Sequence, residues 1–145
     1  MGILNCALRK GLLSLTALRW LIIFLALCEA GWMTFDGNRA LFTGDYVTVR
    51  NGPHAGELGP WAALVAKTGI EPRSTLMKMI FSAYGVCWLF IIALFALRKV
   101  LTWDLMLLAA ILSLWYLPFG TFLSALQVVL LISLRWKERG FRALS

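Results

Sequence analysis

The feature that most constrains this chain is a stretch of 34 residues, Leu101–Leu134, in which Asp104 is the only charged side chain. As one helix it would be about 51 Å long, well beyond the roughly 30 Å hydrocarbon core of a bilayer. Pro118 and Gly120 stand near its middle in YLPFG, where a tight turn is least costly. The stretch therefore predicts two spans, 101–117 and 119–134. Two further apolar stretches, 17–35 with the unbroken core WLIIFLALC and 76–97, complete a set of four. Ser74 is the expected N-cap of the second span.

Composition agrees with this reading. The chain has 145 residues, 61% hydrophobic and 14% charged, with mean hydropathy +0.81. A soluble domain is about half apolar and a quarter charged, and this length suits one domain, 1–145. The expected fold class is all-α: an integral membrane four-helix bundle with a long external loop, residues 36–75, between the first and second spans.

The net charge of +7 invites a nucleic-acid reading, and the positions of the charges argue against it. Arg9, Lys10 and Arg19 flank the start of the first span, Arg98 and Lys99 separate the second and third, and Arg135, Lys137, Arg139 and Arg142 follow the fourth. Basic residues in short segments are retained on the cytoplasmic side. Four spans put all of these segments on one face, whereas three would split them. The long loop carries basic residues too, but acidic ones accompany them, and long loops weigh less in setting orientation. Both termini are thus expected in the cytoplasm, with the chain in a bacterial inner membrane. Tryptophan placement agrees: Trp20, Trp103 and Trp136 fall at the inner interface, Trp32, Trp61 and Trp115 at the outer one, and only Trp88 mid-span.

At the N-terminus, residues 3–18 read as a short amphipathic helix on the membrane surface or as an extension of the first span. Cys28-Glu29-Ala30 mimics a signal-peptide cleavage site, but apolar character continues through Gly31, Trp32, Met33 and Phe35, so an uncleaved span is expected. Met1-Gly2 does not complete a myristoylation motif, because Cys6 replaces the required Ser or Thr. Cys6, Cys28 and Cys87 match no zinc or disulfide spacing.

The loop holds seven glycines and prolines between Gly37 and Pro60. Within it, 60–68 (PWAALVAKT) can form two helical turns, with Pro60 at the first position and Gly69 at the end. Its apolar surface predicts that the loop packs against the outer ends of the helices. Ala109 and Ser113, and Gly120 and Ser124, are small residues four apart, a spacing that lets helix backbones approach closely. They predict a tight hairpin of the last two spans.

Among residues that could carry chemistry, Glu29 is the sharpest, since a carboxylate within a span is costly and is by default a functional hypothesis. It lies about one turn inside Trp32. Three readings stand open: an ion pair or hydrogen-bonded structural carboxylate, a proton-coupled or ligand-binding group, or a hydrated surface residue. Lys78, Arg39 and Arg73 are its candidate cationic partners. Tyr84 and Gln127 are further polar groups at membrane depth, for which interhelical hydrogen bonds are the ordinary account. Asp104 suits the first turn of its helix. His54 with Asp45 and Glu57 matches no metal pattern. No span contains a histidine, which excludes bis-histidine haem ligation within this chain. No phosphate loop, Ser/His/Asp set or Cys/His pair is present, so no catalytic residue or cofactor is assigned.

Residues 18–36, with Leu18-Arg19, an apolar run, Glu29-Ala30-Gly31 and then Asp36-Gly37, resemble the first helix of DoxX-like proteins, small four-span bacterial membrane proteins. The resemblance implies four spans and, since some members are tied to quinone-linked oxidation, a redox role. Two function classes follow. One is a non-catalytic accessory or structural subunit whose partners are the bilayer and other membrane subunits or copies of itself. The other is a small transporter or quinone-linked redox protein using Glu29.

Overall fold

With no proline before Pro53, nothing in the chain forces an early break, and the first helix runs far past the apolar core. In a computed structural model that describes residues 2–99 and 101–142, with side chains placed for 11–99 and 101–140, α1 spans Gly2–Thr43. Of the two expectations for the N-terminal segment, its backbone follows the second: it continues the first helix. The side chains of Cys6, Arg9, Lys10 and Arg142 lie outside the described residues.

At its other end α1 overruns the expected boundary at residue 36 by two turns. Within the helical segment Asp36–Thr43, polar side chains bond back along the helix. Asn38 Nδ2 donates to the Thr34 carbonyl and Thr43 Oγ1 to the Arg39 carbonyl, each at 2.8 Å, while Ala40 is fully buried. Gly44 ends the helix with φ +92°, its N–H donating to the Ala40 carbonyl at 3.0 Å, as a glycine C-cap does.

The remaining helices are α2 (Pro60–Ala66), α3 (Thr75–Ala96), α4 (Thr102–Leu112) and α5 (Phe119–Arg142), with no strand among the described residues. Pro60 opens α2, and the Ser74 hydroxyl caps α3 by accepting from the Met77 N–H at 3.3 Å. The third apolar stretch departs most from expectation, since α4 has 11 residues, about 16 Å. Its last turn tightens, the Ser113 N–H being shared between the Ala109 and Ala110 carbonyls. The chain then turns irregularly through Ser113–Pro118, directing Tyr116 inward. Irregular backbone in apolar surroundings must find its partners within the protein. Here the Tyr116 N–H meets the Ser113 carbonyl at 3.0 Å, and Thr121 Oγ1 donates to the Leu114 carbonyl at 2.7 Å. Gly120 belongs to the first turn of α5 rather than to the connection.

Helices α1, α3, α4 and α5 form a ring in which α1 and α4 each pack on α3 and α5. Helices α1 and α3 approach closely at two glycines. A Cβ on Gly85 would stand 2.6 Å from the Thr34 nitrogen, and one on Gly37 2.6 Å from the Ser82 nitrogen. Small residues set this tight contact. Three helices, α1 over Gly11–Thr43, α3, and α5 over Phe119–Gly140, are long and apolar enough to cross a membrane.

The segment between α1 and α3 packs against one end of this ring. Trp61 of α2 is 5% exposed and Tyr46 2%. Both join Phe81, Trp115 and Tyr116 in an aromatic cluster with ring centroids 4.9–6.2 Å apart, a spacing at which tilted and edge contacts are favourable. The buried Asp36 carboxylate accepts the Val47 N–H at 2.6 Å, tying the loop to α1.

Candidate functional site

Four turns below the end of α1, Glu29 faces α5 and is 1% exposed. The face it meets is a stripe of small and polar residues, Gly120, Ser124 and Gln127, which repeat at helical spacing and so share one side of α5. Ser124 Oγ donates to Glu29 Oε1 at 2.7 Å, and Gln127 Nε2 donates to Oε2 at 2.8 Å. Gly120 makes the room, because a Cβ there would come within 2.4 Å of the Tyr116 ring and 3.0 Å of Glu29 Oε1. Each carboxylate oxygen therefore has a donor, and the two bonds join the first helix to the last. The second amide atom of Gln127, Oε1, is buried without a partner.

Neighbouring polar groups are likewise turned inward. Trp32 Nε1 donates to the Tyr116 hydroxyl at 3.1 Å, tying α1 to the α4–α5 connection. The Tyr84 hydroxyl donates to the Ala109 carbonyl at 2.6 Å and lies 3.0 Å from Ser113 Oγ, tying α3 to α4. Trp103 Nε1 donates to the Leu131 carbonyl at 2.9 Å between α4 and α5. Unpaired polar groups are costly in an apolar interior, and each of these finds its partner on another element.

Of the residues singled out from sequence, Glu29 and Gln127 are brought together, while Tyr84 forms a separate bond. Lys78 does not pair with Glu29. Its ammonium donates to the Gly44 carbonyl at the end of α1, and Glu29 lies 14 residues, about 21 Å, down that helix. Arg39 donates to the Asp45 carbonyl and Arg73 to the Asp45 carboxylate and the Gly56 carbonyl. These cations organise the loop and the helix end instead. No salt bridge to Glu29 forms among the described residues. Ser124 and Gly120 were read from sequence only as packing residues; their positions three and seven residues before Gln127 were the signal that they share its face.

In the loop, partial burial works against ionisation of Asp45. The hydrogen bonds from Arg73 and the Tyr46 N–H, with the nearby positive charge of Lys78, outweigh it and hold the carboxyl below its usual range. His54 Nδ1 lies 2.9 Å from Glu57 Oε2, while Asp45 is taken by Arg73. Among the described residues no group of three or more histidine, cysteine or acidic side chains could hold a metal.

Together these observations define an all-helical protein with three helices of membrane-crossing length and a buried, hydrogen-bonded carboxylate between the first and last of them. The chain matches no protein-family model, no curated protein and no solved structure.

Proposed function

We propose that this chain is a four-span protein of a bacterial inner membrane, acting as a non-catalytic accessory or structural subunit that packs against larger membrane partners or further copies of itself. The observation that carries this reading is the closure of the Glu29 site. Both carboxylate oxygens are occupied by donors from α5, and Glu29 is 1% exposed. A carboxylate with no access to solvent or substrate acts as a clasp between helices. In this reading α4 and the Ser113–Pro118 segment together make the third crossing, α5 the fourth, and residues 44–74 an external cap. The basic residues at the opposite end face the cytoplasm, as retention of Lys and Arg there requires.

One observation favours a second reading, a small transporter or DoxX-like quinone-linked protein in which Glu29 exchanges a proton. The Glu29–Gln127 pair accommodates either protonation state. With Oε2 ionised, Gln127 Nε2 donates to it; with a proton on Oε2, the amide turned over accepts it through the oxygen that now has no partner. Purification in mild detergent separates the two. A stable stoichiometric complex with another membrane protein, or a defined self-assembly, supports the subunit. Proton-dependent substrate flux or quinone reduction by the purified chain, abolished in Glu29→Gln with the fold intact, supports the second reading and removes the first.

A further inference from the structure

At the end of the bundle opposite the aromatic cluster, the end of α3, the start of α4 and the last turns of α5 converge with the middle of α1, at Arg19, around a cavity of about 720 Å³, within the range of ligand pockets, about 300–1,000 Å³. Five cations line it: Arg19, Arg98, Lys99, Arg135 and Arg139. Two carboxylates face them, and both are engaged, Asp104 with Arg135 at 3.1 Å and Glu138 with Arg19 at 3.8 Å. Arg98, Lys99 and Arg139 have no ion-pair partner among the described residues, leaving an excess of three positive charges around one hollow.

Charges that only set membrane orientation need no fixed geometry and splay into water. These are held. The Arg135 guanidinium stacks 4.0 Å from the centre of the Trp103 ring, and that of Arg19 4.1 Å from Phe95. Arg19 also donates to the Phe95 carbonyl, yet its Nε is buried without a partner. The turn from α3 to α4 holds Arg98 at φ 55° and Leu101 at φ 65°, a left-handed conformation unfavourable for both residue types. Leu101 stands at the N-cap of α4 and provides no side-chain acceptor. The first turn of α4, Leu101–Asp104, lines the same hollow, so the positive end of its dipole, with Asp104 beside it, lies there.

We propose that this cavity binds a phosphate-bearing anion. Planar guanidinium forks and an uncapped helix N-terminus suit the several oxygens of a phosphate, and the excess of three charges matches a multiply charged group better than a single carboxylate. Leu97, Leu101 and Trp136 at this end are 68–73% exposed, an apolar rim suited to acyl chains. The phosphate therefore has two possible sources, the headgroup of an anionic phospholipid or a soluble phosphate compound.

The test uses the full-length chain purified in neutral detergent. Binding of cardiolipin, of phosphatidylcholine and of inorganic pyrophosphate is measured separately, by native mass spectrometry for the lipids and calorimetry for pyrophosphate. The triple variant Arg98→Gln, Lys99→Gln, Arg139→Gln is compared with Arg50→Gln, Lys67→Gln, Lys137→Gln, which removes equal charge from exposed positions outside the cavity. Helicity by circular dichroism establishes that each variant is folded. The expected result is cardiolipin binding that exceeds phosphatidylcholine binding, falls at least tenfold in the cavity variant and is unchanged in the control. Pyrophosphate binding with the same dependence, without preferential cardiolipin binding, assigns the site to a soluble phosphate. Loss of binding to the same extent in both variants, or binding of neither anion by the wild-type chain, overturns the proposal. If the cavity variant does not fold, cardiolipin binding by the wild-type chain must still be displaced by excess pyrophosphate in proportion to occupancy of one site; lack of displacement, with no pyrophosphate binding, overturns it equally.

Discussion

Replacing Ser124 with alanine removes one of the two donors that hold Glu29 and leaves Oε1 without a donor among the described residues. A buried acceptor stripped of its partner costs about 1–3 kcal/mol. Interhelical hydrogen bonds in a membrane protein average lower, about 0.6 kcal/mol with a maximum near 1.7. The upper part of that narrower range applies here, because the acceptor is a carboxylate, only 1% exposed, with no cation beside it. Alanine recovers about 0.5 kcal/mol through its better helix propensity. The expected net loss is about 1 kcal/mol. In a Glu29→Leu background the hydroxyl has no carboxylate to serve, so Ser124→Ala should there be neutral or stabilising by a few tenths of a kcal/mol. The coupling between the two positions is then about 1–1.5 kcal/mol. Unfolding of the purified protein by sodium dodecyl sulfate in mixed micelles, followed by tryptophan fluorescence and helicity, measures all four corners of this cycle. Equal losses from Ser124→Ala in both backgrounds would refute the reasoning, since the hydroxyl would then act independently of Glu29.

The α1–α3 crossing makes a second prediction. Gly85→Ala places a methyl group 2.6 Å from the Thr34 nitrogen and should cost about 1–3 kcal/mol by overpacking, whereas Gly31→Ala, with nothing within 4 Å of the new atom, should be neutral or stabilise by up to about 1 kcal/mol; the same unfolding assay reads both. Lys78→Met should leave the Glu29 network intact but release the end of α1, raising the rate of proteolysis near Gly44 without reducing the coupling of Glu29 to Ser124. The Asp45–Arg73 pair gives a pH dependence. The fold holds the Asp45 carboxyl low, so its stabilisation is present above the unfolded aspartate value of about 3.9 and fades as pH falls through the lower folded value. With both side chains 46% exposed, the effect is under about 1 kcal/mol. Proteolysis of residues 44–59 should accelerate in acid, and Asp45→Asn should show the fast rate at neutral pH.

Much of the helical layout was legible because hydropathy and caps act locally. Ser74 and Pro60 marked their helix starts, while α2 ends at Ala66, three residues before the expected Gly69, and the apolar stretches marked α1, α3 and α5. The boundaries that were misread depend on contacts distant in sequence. The end of α1 was placed at residue 36 because Asp36 and Gly37 read as a loop. Their helical state rests on Gly37 packing against the α3 backbone and on Asp36 accepting the Val47 N–H. The shortening of α4 follows from Tyr116 turning towards Trp32 and the aromatic cluster, which no local pattern announces. Glu29 and Gln127 were visible as polar groups in apolar stretches. Their pairing was not, because charge alone suggested Lys78, and only the lengths of α1 and the loop show that Lys78 stands at the far end of the helix.

The four-span reading is tested most directly by where the basic ends of the helices reside. Reporter fusions placed after Lys99 and after Ser145 should both report a cytoplasmic location, and one at Asn51 an external one. A C-terminal fusion that reads external, with the Lys99 fusion cytoplasmic, would mean that α4 and α5 do not each complete a crossing, and would contradict the account.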